Sequence, residues 1–533
     1  MYNNYTPLQQ RQLALQEYSN TQSTYLLVYA PARSTALKAT LTDQLHRKFR
    51  LVDRLGGELT ASVDGVLLAA EDVELMSTAL MYFAKALQDG ADYAVCNAVF
   101  GFGGATALYQ SQPLQAQNRC AVVSRTLLER CRAAAHDPEN VPELLALAAQ
   151  LCTKPTLIPQ ALLHYERGIC AEDAFSAHGK RAFIMSHVLD MTGAPIVLVS
   201  AVPVLRSMGY EVLVLGPSDG GSLHLFLDAG ASVITRSSCR NVSDAWGMAL
   251  CADFVIANTV VMARAVRALS GTAVPVLWWL HDAFAGYPHI AHQIPTQLGE
   301  NVRVYSVGSH AANAMRAVRP EFEIRPLIYG LPDYAAENFV RTDLGYNRGR
   351  PLFATVGSFE RRKGHDIFCK AIRLLPPEVR EKASFLFVGQ AADKEMMDSV
   401  RALTADYPEN VYYCKRLTRD EIKSLMEQCT GLVCASRDDP MPTFVTEGLI
   451  FGKPSIVSEH TGTAGLISEG RNGFVYHNDD PQQLAVLLEH AIEHPEELAS
   501  MRTECRKMYE QYYSKEAFEQ TLRAAVEDLT AKK

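Results

Sequence analysis

The chain has no C-x-x-C pair, although it carries 12 cysteines, which stand singly along 533 residues. That scatter excludes a disulfide-stapled scaffold and a paired-cysteine metal or redox motif. It reads as the reduced thiols of a cytosolic protein. A long apolar run is also missing. The longest near-continuous one, Ala194 to Leu205, is about a dozen residues, short of the roughly 20 needed to cross a bilayer. The opening segment MYNNYTPLQQRQLALQEYS has no apolar signal core. These absences lead us to expect a cytoplasmic chain, peripheral at most on the inner membrane face. Basic excess is absent too: 51 Lys and Arg stand against 59 Asp and Glu, a formal net charge of -8. General nucleic-acid binding needs the opposite balance. Only local clusters remain, such as HRKFR at 46–50 and RRK at 361–363. No short repeat or low-complexity tract is found.

What is present is an ordinary globular balance, 48% hydrophobic and 21% charged, in a chain long enough for about three domains. Residues 1–175 are rich in Ala, Leu and Gln with helical periodicity. From about 180 to 330, short β-branched runs alternate with helical stretches. AFIMSHV (182–188), EVLVLG (211–216), FVIAN (254–258), VPVLWWL (274–280) and VRVYSVG (302–308) read as strands. IVLVSAVPVLRSMG (196–209) reads as a helix that Pro203 should kink or offset. From about 350 the rhythm repeats, with LFATV, SFLFVG, NVYYC, GLVCA and PSIVS as strands. Strand, turn, helix, strand is the pattern of parallel sheets with crossover helices. Two such halves, joined near PDYAAENF (332–339), imply an α/β fold of two Rossmann-like domains facing each other across a cleft. Ligand is then expected at the C-terminal strand ends.

The richest segment is SRDDPMPTFVTEGLIFGKPSIVSEHTGTAGLISEGRNGFVY (436–476). A buried strand ends at Ser436, with Asp438 and Asp439 at its C-terminal end. Thr443 is a candidate N-cap for a helix through Ile450, and Glu447 lies about one turn in. Free amides of Thr443, Phe444 and Val445 at the start of that helix suit a diphosphate. The second element, TVGSFERRKGHD (355–366), puts Arg361, Arg362 and Lys363 on a loop at a strand's C-terminal end, where they can neutralise phosphate.

These segments resemble the donor half of the group 1 (family 4) glycosyltransferases of the GT-B fold. That family has an acid, seven residues, a Glu and then Gly-x-Pro. Asp439, Glu447 and Gly452-Lys453-Pro454 match that pattern, and Gly462, Gly465, Asn472 and Gly473 match its downstream glycines. Gly357 through Lys363-Gly364 match its phosphate loop. Residues 186–217 resemble its acceptor-side glycine loop and first helix, and VPVLWWLHDAF (274–284) its strand ending in histidine. The likeness spans about 180 to 510. It implies that Glu447 holds ribose hydroxyls, that Asp439 contacts the donor sugar, and that Lys363 with Arg361 or Arg362 binds the diphosphate. It places His281 near the reacting centre and lets the backbone at Gly193 approach phosphate or acceptor. It implies retention of configuration and no metal. Two departures stand out. The first acid is Asp rather than Glu, so Asp438 could serve instead, and Ser358 follows Gly357 where the family often has Arg.

Other residues attract plainer readings. Trp278 and Trp279 are expected in the core. His281, His289 and His292 fit no zinc spacing. Gly101, Gly103 and Gly104 lack a surrounding dinucleotide unit. Residues 1–175 loosely resemble the second half of a family 2, GT-A-type glycosyltransferase, with Asp72, flanked by Glu71 and Glu74, where a metal-binding acid would stand. The spacing from the first strand, YLLVYAP (25–31), to these acids is only about 40 residues, too short for the usual nucleotide-binding half. YLLVYAP (25–31) and GVLLAAEDVELM (65–76) read as strands, and LMSTALMYFAKALQDGADYAVCNAVF (75–100) as helix then strand. A reduced α/β (largely helical), non-catalytic domain is therefore expected, or a helical cap for packing, acceptor contact or oligomerisation.

The expected domains are 1–175 (extra domain), 176–335 (acceptor side), 336–510 (nucleotide-sugar donor side) and 511–533 (C-terminal helix). The expected activity is transfer of a sugar from a nucleotide-sugar, as co-substrate and with no other cofactor, to a glycan or lipid-linked acceptor in surface polysaccharide assembly. Partners are the donor, the acceptor, a membrane surface, and further copies or other glycosyltransferases, but not nucleic acid. The alternatives are a silent GT-B binding module or another GT-B enzyme, such as an epimerase or phosphorylase. The retained charges of Asp439, Glu447 and Lys363 weigh against silence.

Overall fold

A computed structural model describes residues 23–29, 35–41, 44, 46–70, 73–76, 78–101, 106–110, 120–166, 179–218, 220–236 and 248–531. Glu71, Asp72, Gly103 and Gly104, and the first 22 residues, lie outside them. Packing divides the chain into two compact units, 1–255 and 256–533.

The first unit is built on one mixed sheet. Its strands are β1 (Leu26–Tyr29), β2 (Phe49–Val52), β3 (Gly65–Ala69), β4 (Glu74–Leu75), β5 (Tyr93–Gly101), β6 (Thr106–Gln110), β7 (Cys120–Ser124), β8 (Pro155–Glu166), β9 (Lys180–Met185), β10 (Tyr210–Gly216) and β11 (Ser232–Arg236). The order is β9-β10-β11-β6-β5-β7-β3-β1-β2, with β8 paired to β5 and to β4. Strands β9, β10 and β11 run parallel, as expected of a Rossmann-like half. Strand β11 then pairs antiparallel with β6, so the amino-terminal zone continues the same sheet. That zone is not largely helical. It holds eight strands against four α-helices among the described residues.

The reason lies in alternation. Leu26, Val28, Leu67 and Ala69 join the core under the helix Ala79–Gln88. Leu27, Tyr29, Val66 and Leu68 join the core on the other face, under the helices Arg125–Ala134 and Val141–Leu151. A strand covered on both faces reads as a continuous apolar run, and the runs in YLLVYAP (25–31) and GVLLAAEDVELM (65–76) do form the strands β1 and β3. Pro203 does not end its helix, which runs from Gly193 to Ser207.

The second unit holds two parallel arrays. Strand β12 (Phe254–Asn258) spans the division, and β13 (Val276–Leu280), β14 (Val302–Ser306) and β15 (Ile324–Pro326) pair in parallel order. Trp278 and Trp279 are fully buried, as expected, and their indole N–H groups donate to the carbonyls of Thr259 and Leu327. The other sheet comprises β16 (Leu352–Val356), β17 (Ser384–Val388), β18 (Val411–Cys414), β19 (Gly431–Cys434), β20 (Ser455–Ser458) and β21 (Gly473–Tyr476). All its pairs are parallel, in the order β18-β17-β16-β19-β20-β21. Counted along the chain that is 3-2-1-4-5-6, so the order reverses between β16 and β19. A crevice opens outside the strand ends at such a switch point. The last helix, Lys515–Thr530, returns to the first array, where Phe518 stacks on Trp279 with ring centroids 5.8 Å apart. No helix among the described residues is long and apolar enough to cross a membrane.

Candidate functional site

The two motif loops leave the strands that flank the switch point. Strand β16 leads into Gly357–Gly364, and β19 leads into Ser436–Thr443. Gly364 brings them together. Its backbone is left-handed (φ 65°), and a Cβ there would run into the carbonyl of Ala435 at the end of β19. Arg437 fastens the same junction. Its guanidinium makes two 2.8 Å bonds to Asp366, and it donates at 2.9 Å to the carbonyl of Arg361. A further bond reaches Asp479. Burial alone would raise the Asp366 carboxyl, but the Arg437 fork outweighs it and holds the group below the usual range.

The junction seats Lys363 against Asp439, Nζ to Oδ2, at 2.6 Å. The lysine side chain is 18% exposed and that of the aspartate 4%. Asp439 is locked by its backbone as well: its N–H donates to His460 and its carbonyl accepts from Gly462. Of the other loop residues, Ser358 and Arg362 both bond Glu360 Oε1. The Arg361 side chain makes no hydrogen bond or ion pair among the described residues. Gly357 leaves its surroundings open: a Cβ there would meet only the Lys363 stem, at 4.0 Å. His365, just past the loop, is buried edge-on to Phe359. Burial, then the charge of Lys363, push its imidazole down to about 3, so it is neutral.

The two adjacent acids have separate tasks. Asp438 turns away from Lys363 and accepts from His310 Nε2 at 2.7 Å, from Ala285 N at 2.8 Å and from Phe284 N at 3.1 Å. Burial would raise this carboxyl, yet those three donors hold it below the usual range. It clasps the loop after β13 and the helix Ser309–Arg316 to the loop after β19. His281 stands at the start of that same post-β13 loop, its ring 4.7 Å from the ring of Trp279. Asp282 accepts from Val260 N at 2.6 Å, and burial pushes its carboxyl up to about 6.

The helix Thr443–Ile450 begins one residue earlier than its expected cap allows. Pro442 is the N-cap and Thr443 the first helical residue, without a side-chain capping bond. Proline, with φ fixed near the observed -70°, already ends the loop there. The Val445 amide is taken by the Pro442 carbonyl. Those of Thr443 and Phe444 form no hydrogen bond among the described residues, so the candidate anion donors are two rather than three. Glu447 is 8% exposed and meets Arg419 Nη1 at 2.6 Å.

Gly193 opens the helix Gly193–Ser207 in the first unit, with nothing within 4 Å of a Cβ position. His289 and His292 join no metal-binding cluster among the described residues. Sequence reasoning misses Arg437, Arg419 and His310. Each acts across 28 to 128 residues of chain, and no local spacing marks them.

Comparison with known proteins agrees with this geometry. The family described as Glycosyl-transferase family 4 matches residues 178–318, and Glycosyl transferases group 1 matches 337–508. The chain is 25% identical over 194 residues to the uncharacterized glycosyltransferase MJ1178 of Methanocaldococcus jannaschii, covering 36% of this chain and 53% of that protein. It is 26% identical over 160 residues to spore coat protein SA of Bacillus subtilis, covering 28% and 41%. The chain thus spans about half the length of the curated relatives it matches. Among solved structures it resembles Anabaena HepE in complex with UDP (TM-score 0.54, 18% identity) and sucrose-phosphate synthase from Thermosynechococcus elongatus (TM-score 0.53, 15% identity). Both likenesses cover 66% of this chain and 100% of the other. At such identities they speak for the fold alone, and that fold is GT-B. With a 3-2-1-4-5-6 sheet and two motif loops joined at its switch point, the chain carries a domain of the Glycosyl-transferase family 4 over 178–318 and one of the Glycosyl transferases group 1 over 337–508.

Proposed function

We propose that the chain transfers a sugar, with retention, from a nucleoside-diphosphate sugar to a glycan or lipid-linked acceptor in surface polysaccharide assembly. The observation that carries the donor side is the pairing of Lys363 with Asp439 at the switch point, beside the start of the helix Thr443–Ile450. An ammonium has three donors, so Lys363 can keep Asp439 and still reach a diphosphate. Arg361, free of other partners among the described residues, is the second cation. The amides of Thr443 and Phe444 supply fixed dipoles at the positive end of a helix. Preorganised charge of this kind stabilises a departing diphosphate without a metal. Asp439 then faces the donor sugar, Glu447 the ribose, and His281 the reacting centre. Anabaena HepE was solved with UDP and with UDP-glucose, which supports a nucleotide-sugar donor here. Acceptor contacts fall to the loops after β12 to β14. A lipid-linked acceptor would bring the protein to a membrane surface.

The test is a thermal-shift screen against UDP-, GDP- and dTDP-sugars. A ligand held by the folded state raises its stability by mass action. The correct donor should raise the melting temperature in wild type but not in Glu447→Ala. The absence of a shift with every donor would contradict the proposal.

A further inference from the structure

The first turn of the helix Arg419–Gln428 contains a cation where physics favours acids. Its Thr418–Glu421 capping box is complete, and Asp420 and Glu421 suit the positive helix end. Arg419, at the first helical position, does not. Its charge has two other partners. One is Glu447, at 2.6 Å. The other is the face of Tyr334, with the guanidinium carbon 4.1 Å from the ring centroid. Tyr334 belongs to the connection between the two Rossmann-like halves. The guanidinium is thus pinned on a ring while one arm reaches the carboxylate. A planar fork held this way fixes orientation as a flexible ammonium does not.

The effect on Glu447 is specific. An ionised carboxylate only accepts hydrogen bonds. Arg419 takes Oε1. Oε2 has no partner among the described residues and remains for a hydroxyl. We propose that Arg419, stacked on Tyr334, is a positioning residue that orients Glu447 toward the donor ribose and so sets selection of ribo- over 2′-deoxyribonucleotides. This rests on the reading of Glu447 as the ribose-holding residue. The Arg419 side chain is 45% exposed beside Glu447, so it borders the space the nucleotide would occupy.

The experiment is calorimetric titration of the full chain. The probes are whichever of UDP, GDP and ADP binds wild type most tightly, and the 2′-deoxy form of the same diphosphate. The readout is the ratio of the two dissociation constants. Wild type should prefer the ribo form by tenfold or more. Glu447→Gln should lower that ratio to within about twofold of one. Arg419→Met should do the same while still binding the diphosphate, and Arg419→Lys should restore the preference only in part. Arg341→Ala, an exposed arginine paired with Glu427, should keep the wild-type ratio. Loss of discrimination in Glu447→Gln with wild-type discrimination in Arg419→Met would overturn the role of Arg419 and leave the ribose reading standing. Wild type that binds both forms alike, or none of the diphosphates, would overturn the ribose reading itself, and so would a Glu447→Gln chain that keeps its preference. Thermal melts of each variant separate these results from unfolding.

Discussion

Gly364 is constrained twice, by a left-handed backbone and by the Ala435 carbonyl that a Cβ would strike. A left-handed non-glycine residue costs about 1–2 kcal/mol, and the collision adds to that. Gly364→Ala should therefore lose about 2 kcal/mol or more in urea unfolding. Gly193→Ala, with open space around it, should melt near wild type; equal losses in both would contradict the geometry. Asp282 makes a separate prediction about pH. Its carboxyl, pushed up to about 6 by burial, binds a proton more tightly folded than unfolded. Its favourable contribution is complete below about pH 4 and is lost as pH rises through 6, costing roughly 3 kcal/mol by pH 7.5. Asp282→Asn should then be more stable than wild type at pH 7.5 and equal to it near pH 4. Urea melts at the two pH values decide; a variant no more stable at pH 7.5 would refute it.

At the scale of elements, Asp438 is the clasp. It gathers three donors from the loop after β13 and from the helix Ser309–Arg316. A double-mutant cycle between Asp438→Asn and His310→Gln should give a coupling energy of about 1 kcal/mol or more, as expected of a buried, hydrogen-bonded pair. Additive effects would show that the bond does not hold these elements together. The same region shows what sequence can and cannot convey. The strands from 352 to 458 are readable because each is a short apolar run between turn residues, whereas the strand Gly473–Tyr476 is not among those read from sequence. Gly364, Gly452 and the spacing of Asp439 and Glu447 mark the loop ends. Which neighbour each charge meets is not readable: Asp438 and Asp439 are adjacent in sequence, yet one faces His310 and the other Lys363. That division depends on β16 lying beside β19, a long-range pairing. In the amino-terminal zone, Ala, Leu and Gln favour helix locally; the apolar runs at 25–31 and 65–76 read as strands and are strands, but the number of further strands in the zone is not apparent from composition.

At the scale of the whole molecule, the extra 175 residues are not an appendage strung on a linker. Strand β6 pairs antiparallel with β11, from Val233↔Tyr109 to Arg236↔Thr106. Removing residues 1–175 would bare the edge of β11, and an unpaired edge strand is a template for association. The truncated chain should elute as aggregate or mixed oligomers in size-exclusion chromatography. A monodisperse fragment that still binds donor would show that the shared sheet is dispensable. In the second unit, the proposed donor site at the switch point works by fixed charge. The most direct measurement is donor turnover in EDTA by wild type, Glu447→Gln and Lys363→Met. Wild type should keep its activity, and each variant should lose it by about 100-fold or more. Full turnover in both variants, or a strict need for Mn²⁺ in wild type, would contradict the account.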